Sequence, residues 1–426
     1  MNQALTFAQR IGAMLSRAHY QLLFGVMAAC LLPLLLRGIG YEQFMRTPQL
    51  INAAAGSLIA VVAGFYFFRR MTAFPGVESL SFIFPIFTIS FGAVLAAFFF
   101  FRFEYSRYVF LASYLVAQLW FHVVFFAIRR YVMPTFAVIP GGEVGTLRTV
   151  SAALWKPLTR PSFDDIPRNG IVTDLRADLS VEWEAFIADA ALRGIPVYHY
   201  KQVKESITGQ VEIEHLSENT FGTLQPNGFY SIFKAVCDRL GAILVIPLVA
   251  PLFLVIAAII RLESRGPAFY RQERVGFRGR PFTLWKFRTM VADVDGSSER
   301  RDNAFTVEDD PRITRFGRFL RRTRIDELPQ IFNILAGEMS WIGPRPEPAV
   351  LSSWFETELP FYRYRHIVKP GITGWAQVNQ GYAVGVDDIL RKLHYDFYYI
   401  KNYSIWLDVL ITIKTIRTVI TGAGAR

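Results

Sequence analysis

The sequence predicts an α-helical membrane protein that also carries α/β structure, and three observations point there. Four long apolar runs contain no Lys, Arg, Asp or Glu; a fifth of the same length holds two prolines; the rest alternates short extended apolar pieces with helical patterning. Hydrophobic residues make up 52% of the 426 residues and charged residues 19%, a balance that leans toward membrane insertion, and the length leaves room for two or three domains.

The four uncharged runs, residues 20–36, 50–68, 80–101 and 108–128, are each long enough to cross about 30 Å of hydrocarbon as helices. A buried soluble core would need four helices with no polar face, which is rare. They define a four-helix transmembrane domain over residues 1–130. Arg10, Arg17, Arg69, Arg70, Arg129 and Arg130 fall on one side of it, against Arg37, Arg46, Arg102 and Arg107 on the other. That excess places both ends of the bundle in the cytoplasm. The N-terminus lacks the pattern of a cleaved signal, so the first apolar segment is expected to remain.

Residues 131–227 read as a small Rossmann-like α/β domain, with extended pieces at 136–139 and 195–200 and a helical pattern at 181–192. Gly141-Gly142-Glu143-Val144-Gly145 follows the first strand but lacks the spacing of a dinucleotide loop. A plain strand-to-helix turn, in a structural domain or one that supports a homodimer, is the other reading.

The fifth run, 240–260, carries Pro247 and Pro251 near its middle, where each removes a backbone donor and crowds the preceding turn. Lys234 and Arg239 precede it and Arg261, Arg265, Arg271 and Arg274 follow, so both flanks are basic. This predicts a sharp break and a re-entrant hairpin over residues 234–261; a proline-kinked spanning helix is the alternative.

The third domain, 228–426, holds the chemistry. Asp326-Glu327-Leu328-Pro329-Gln330 lies among Arg318, Arg321, Arg322 and Arg324. Pro329 suits a first helical turn and Gly337 a helix end, so a short helix is expected just after the acidic pair, where carboxylates stay ionised and phosphates are welcome. One acid can face a reacting phosphorus while the other holds Mg²⁺, which favours oxygen ligands and phosphate substrates. Alone, the pair would read as a cap paired with exposed arginines. Two cysteines exclude a disulfide framework, and six histidines without ligand spacing exclude a histidine metal site. The net charge of +11 suits anionic headgroups, phosphate-bearing substrates or nucleic acid. Because the basic residues flank the proposed membrane hairpin, the nucleic-acid reading is set aside.

From about Phe233 to Arg426 the chain resembles the bacterial sugar transferases that act as monotopic phosphoglycosyl transferases. The resemblance rests on Asp326-Glu327-Leu328-Pro329-Gln330, Gly343-Pro344-Arg345-Pro346, Trp285-Lys286-Phe287-Arg288-Thr289-Met290, and the run from Pro370-Gly371 through Gln377-Val378-Asn379. It implies Asp326 as nucleophile, Glu327 as Mg²⁺ support, and Arg345 as the arginine for the nucleotide diphosphate. It also matches Lys286, Arg321 and Asp408 to polar family positions, and Asp238 and Pro251 to the hairpin. Two departures stand out: Ala250 replaces a serine common before that proline, and Gln380-Gly381-Tyr382 replaces an arginine-bearing stretch. The four N-terminal helices and the α/β domain are similar to the large subgroup of the family.

The expected reaction moves hexose-1-phosphate from a UDP-hexose to undecaprenyl phosphate on the cytoplasmic face of the bacterial inner membrane, releasing UMP, as the first membrane step of exopolysaccharide, capsule or O-antigen assembly. The alternatives are direct attack by the lipid phosphate in a ternary complex, or a non-catalytic flippase or transporter. Uncharged helices argue against transport. Residues 405–420 read as an amphipathic helix that either lies on the membrane surface or packs on the core.

Overall fold

The computed structural model describes residues 14–15, 17–72, 79–131, 134–164, 166–167, 169–213, 226, 228–291, 310, 312–380 and 385–421. Arg10, the boundary at residue 227 and Gly381-Tyr382 lie outside them. The fold is mostly helical and divides into two compact units, residues 1–209 and 210–426.

The first unit opens with four apolar helices, α1 (Ala18–Leu36), α2 (Pro48–Met71), α3 (Ser79–Phe100) and α4 (Arg107–Tyr131). Their shared core holds Ala53, Ala60, Phe65, Phe87, Phe98 and Phe121, among others. Small residues set how closely the helices approach. A Cβ added at Gly56 would come within 2.3 Å of Phe98, and one at Gly64 within 2.8 Å of Phe87. Close backbone contact through small residues is how helices associate where no hydrophobic drive separates core from surroundings. Large apolar side chains point outward as well, with Leu35 70% and Phe100 82% exposed. These four and one later helix are long and apolar enough to cross a membrane.

A four-stranded, fully parallel sheet follows, formed by β1 (Thr135–Val138), β2 (Leu154–Pro157), β3 (Ile171–Thr173) and β4 (Val197–His199) in the order β2-β1-β3-β4. Between β3 and β4 runs α5 (Val181–Leu192), and α6 (Tyr200–Thr208) follows β4. Ala137, Ile139 and Ile171 pack with Phe186 and Ala190 of α5, while Val172 packs with Leu147, Tyr200 and Val203. Both faces of the sheet are therefore covered, as parallel sheets require. The expected strands near 136–139 and 195–200 and the helix over 181–192 are present; β2 and β3 were not anticipated. The glycine turn is a strand-to-helical-turn connection. Gly141 and Gly142 have φ of 144° and 56°, and Asp174 accepts the Glu143 N–H at 3.1 Å.

The second unit begins with a chain that donates from Val211 N to His394 O at 3.0 Å and continues into α7 (Gly228–Glu263), 36 residues long. Pro247 and Pro251 do not interrupt the helix: α7 continues through both. Each proline removes a single donor, and both lie on the exposed face, so the rest of the ladder and the packed face hold the helix together. That packed face is one stripe of Lys234, Asp238, Ala242, Phe253, Ile256 and Ile260, while Leu244, Leu248, Leu254 and Leu262 are exposed.

Against this stripe lie the hairpin of β5 (Phe269–Val275) and β6 (Pro281–Phe287), α8 (Arg315–Arg322) and α9 (Ile331–Ala336). The parallel pair β7 (Ser340–Ile342) and β8 (Gly371–Thr373) follows, with α10 (Ala349–Glu358), α11 (Trp375–Asn379), α12 (Val386–Lys401) and α13 (Ile405–Thr421). Of the two readings for the last helix, the structure gives packing on the core: Leu407, Leu410 and Ile411 are fully buried.

Candidate active site

Asp326 and Glu327 lie within the first turn of a 3-10 segment, Ile325–Gln330, which leads into α9. The expected helix end is present, since Gly337 terminates α9 with φ 81°. The start is earlier than expected: Arg324, at φ 59°, turns the chain so that the pair joins the helical segment instead of preceding it. Both acidic residues are buried.

Two elements deliver cations to them. From β6, Lys286 Nζ donates to Glu327 Oε1 at 3.0 Å. From the loop after β7, Arg345 donates to Glu327 Oε1 at 2.6 Å and to Oε2 at 3.3 Å. Glu327 is thus locked on both oxygens. Burial alone would raise its pKa, but Arg345 and Lys286 outweigh this and hold the carboxyl well below its ordinary range. Asp326 makes no hydrogen bond or ion pair among the described residues, and burial raises its pKa, opposed by Lys286 and reinforced by Glu327. Burial lowers the pKa of Lys286, with Glu327 opposing. Two adjacent carboxylates are therefore pushed in opposite directions, an arrangement that separates a reactive group from a fixed one.

Arg321, in the last turn of α8, lies within the field of Asp326 and is oriented by its Nε donating to Thr289 Oγ1 at 2.9 Å. Arg288 ties the same strand end to the turn just after α7, donating to Ser264 O at 2.7 Å and Arg265 O at 3.0 Å.

The loop presenting Arg345 is fixed by its backbone. Gly343 N donates to Thr373 O at 2.8 Å and Gly371 N to Pro344 O at 3.0 Å; a Cβ at Gly343 would meet Lys369 O at 2.3 Å. Beneath it, Arg365 donates to Arg345 O at 2.9 Å while paired with Asp396 at 2.8 Å, and Arg274 donates to Pro346 O at 2.8 Å. Glu347 closes the loop in an ion pair with Lys392. Sequence reasoning missed Arg365, Asp396, Glu347 and Lys392: nothing local sets Arg365, 3% exposed, apart from its neighbour Arg363.

Of the residues singled out in the sequence, the structure brings Asp326, Glu327, Lys286 and Arg345 together, with Arg321 close by. Asp408 accepts from Tyr230 OH and Lys234 Nζ, both at 2.6 Å, and from Tyr399 OH at 2.8 Å, so it joins α7, α12 and α13. Its place is the foot of α7, along with Asp238, whose carbonyl accepts from Trp341 Nε1 at 3.1 Å.

The shell under the loop is expected to make this unit acid-sensitive. Burial and the charges of Arg365 and Arg363 push His366 down from its ordinary 6.5 to about 3. Glu347, which burial would raise, is drawn down from 4.5 to about 2 chiefly by Lys392 and Arg365. In both cases the unfolded chain binds more protons, so their stabilisation is complete above the unfolded pKa and is lost as pH falls, from 6.5 toward 3 for His366 and from 4.5 toward 2 for Glu347. Thermal unfolding is expected to shift to lower temperature between about pH 7 and 4, and His366→Gln to flatten the upper part of that fall. An unchanged slope in the variant would remove His366 from this account.

Residues 229–422 match the family described as bacterial sugar transferase. The chain is 45% identical over 404 residues to UDP-N-acetylgalactosamine-undecaprenyl-phosphate N-acetylgalactosaminephosphotransferase of Aeromonas hydrophila, covering 94% of each protein. Over 210 residues it is 41% identical to UDP-glucose:undecaprenyl-phosphate glucose-1-phosphate transferase of Xanthomonas campestris pv. campestris, which spans 49% of this chain and 42% of the relative. A protein of the same description from Caulobacter vibrioides is 39% identical over 210 residues, 48% of this chain and 77% of that one.

Proposed function

Because the chain belongs to the bacterial sugar transferase family, and is thereby a membrane-associated transferase acting on undecaprenyl phosphate, we propose that Asp326 is its nucleophile and that it passes hexose-1-phosphate through a covalent aspartyl intermediate. The observation that supports this is the division within the acidic pair: Glu327 is held by two cations, while among the described residues the Asp326 carboxylate has no hydrogen-bond or ion-pair partner. A nucleophile must be free to move onto phosphorus; a fixed, permanently ionised neighbour suits charge control.

In the first step an Asp326 oxygen attacks the sugar-bearing phosphorus of the UDP-sugar, and the bond to the UMP oxygen breaks, UMP leaving with the electron pair. In the second, an oxygen of undecaprenyl phosphate attacks the same phosphorus and the Asp326 carboxylate departs. Lys286 and Arg345, now on Glu327, would share the charge gathering on the phosphoryl oxygens, and Arg321 would meet an incoming phosphate. The donor set fits Mg²⁺. Two adjacent carboxylates offer the one or two protein oxygens this ion takes, with phosphates and water completing its shell. Among the described residues no third acidic, histidine or cysteine side chain joins the pair, so phosphates and water would supply the remaining ligands. Glu327 would hold the ion, its two cations shifting toward the diphosphate, and the bound metal would add positive charge at the phosphoryl oxygens.

The donor to test first is UDP-N-acetylgalactosamine, since the relative matched along the whole chain is named for that sugar, whereas those from Xanthomonas campestris and Caulobacter vibrioides, named for glucose, match about half of this chain. We read α1 to α4 as membrane-spanning, the parallel sheet as a Rossmann-like domain, and α7 as re-entrant from the cytoplasmic face of the inner membrane. The support for re-entry is the buried stripe from Lys234 to Ile260: protein covers one side of α7 along its length, while exposed leucines on the other are left for lipid.

Intact-mass measurement after incubation with UDP-N-acetylgalactosamine, without lipid acceptor, is expected to find the chain heavier by one sugar phosphate, the adduct disappearing when undecaprenyl phosphate is added. UMP release that strictly requires the lipid, with no adduct, would favour direct attack in a ternary complex and overturn the intermediate.

A further inference from the structure

The end of the helical bundle where α1 and α3 finish and α2 and α4 begin holds a groove of about 540 Å³. Arg37, Gln43, Thr47, Tyr105, Arg107 and Tyr108 are among its lining residues, and no Asp or Glu is among them. Its volume falls within the roughly 300–1,000 Å³ of small-molecule sites. Two guanidinium groups from different helices converge on it: Arg37 follows the last residue of α1 and Arg107 opens α4. Arg37 stands over the Tyr108 ring at 5.2 Å. Neither arginine forms an ion pair among the described residues. The acid of the adjoining loop, Glu104, is engaged with α2 instead, accepting from Gln49 at 2.8 Å through its side chain and from Asn52 at 2.7 Å through its carbonyl.

Two unpaired cations surrounded by amide and hydroxyl groups repel each other unless an anion with several acceptor oxygens lies between them, and a phosphate ester is such an anion. Exposed Tyr41, Phe101, Phe103 and Tyr108 gather at this same end, the placement of aromatic rings at headgroup depth. We propose that this groove binds the phosphate of a phospholipid headgroup. The inference rests on the reading of α1 to α4 as membrane-spanning and is independent of the transfer mechanism.

The full chain, purified in detergent, is titrated with dioleoylphosphatidylglycerol and followed by native mass spectrometry, in parallel with Arg37→Gln/Arg107→Gln. Wild type is expected to retain a first lipid at least about tenfold more tightly than the double variant, and Arg37→Lys/Arg107→Lys to recover part of the difference. Dioleoylglycerol, which lacks phosphate, is expected not to distinguish the proteins. Both arginines are exposed, so their removal leaves the bundle core intact, and UMP release by the double variant, expected unchanged, serves as the folding control. Equal retention of phosphatidylglycerol by wild type and double variant overturns the site. Displacement of the lipid by equimolar glycerol 1-phosphate overturns the lipid assignment and identifies a soluble phosphate as the ligand.

Discussion

Replacing Asp326 by Asn is expected to abolish turnover, lowering it by about 10⁴- to 10⁶-fold, because the amide cannot form and release the acyl-phosphate bond. UMP release should vanish even with no lipid acceptor present, which separates loss of the first step from loss of lipid binding. The same substitution is expected to leave the fold intact or raise its melting temperature near neutral pH. The sign follows from burial: the pKa of Asp326 is raised, so its ionised form opposes folding above that pKa, and a neutral amide of the same shape removes the penalty. Loss of function together with retained or increased stability is the signature of a strained reactive group. Substantial UMP release by the variant would exclude Asp326 as the attacking residue.

The sequence alone made the acidic pair, Lys286 and Arg345 legible, because short motifs with fixed spacing encode each of them locally. It also made the apolar helices legible, since residues 20–128 alternate uncharged runs with arginine-bearing connectors. What it could not supply were the properties that arise when distant segments meet. Nothing local distinguishes Asp326 from Glu327 as the unpartnered carboxylate; that assignment needs β6 and the loop after β7 to deliver two cations to the second residue and none directly to the first. Asp408 was matched to a polar family position by likeness of motif, and nothing local announces the three donors from α7 and α12 that hold it. Arg365 and Asp396, thirty-one residues apart, form a buried pair that no helical or strand period announces. The prolines of α7 were read as a break because proline rules describe an isolated helix; here the stripe from Lys234 to Ile260 packs on both sides of them.

Glu327→Gln is expected to cost both activity and stability, the opposite stability sign from its neighbour. Glu327 is ionised in the fold and compensates two half-buried cations, Lys286 at 3.0 Å and Arg345 at 2.6 Å. Removing one side of a buried pair leaves uncompensated charge and typically costs about 3–5 kcal/mol, which for a unit of roughly 200 residues corresponds to a melting shift on the order of 10 °C. Turnover should fall by about 10³-fold, as the site loses the carboxylate that would hold Mg²⁺ and balance the charge of Lys286 and Arg345. A second substitution separates the two losses. Lys286→Met in the Glu327→Gln background removes one orphaned cation, so it should return part of the melting temperature and none of the activity. If Glu327→Gln melts at the wild-type temperature, the carboxylate is not compensating buried charge. If the double variant instead regains turnover, Glu327 acts only by neutralising Lys286, and its part in controlling charge at phosphorus falls away.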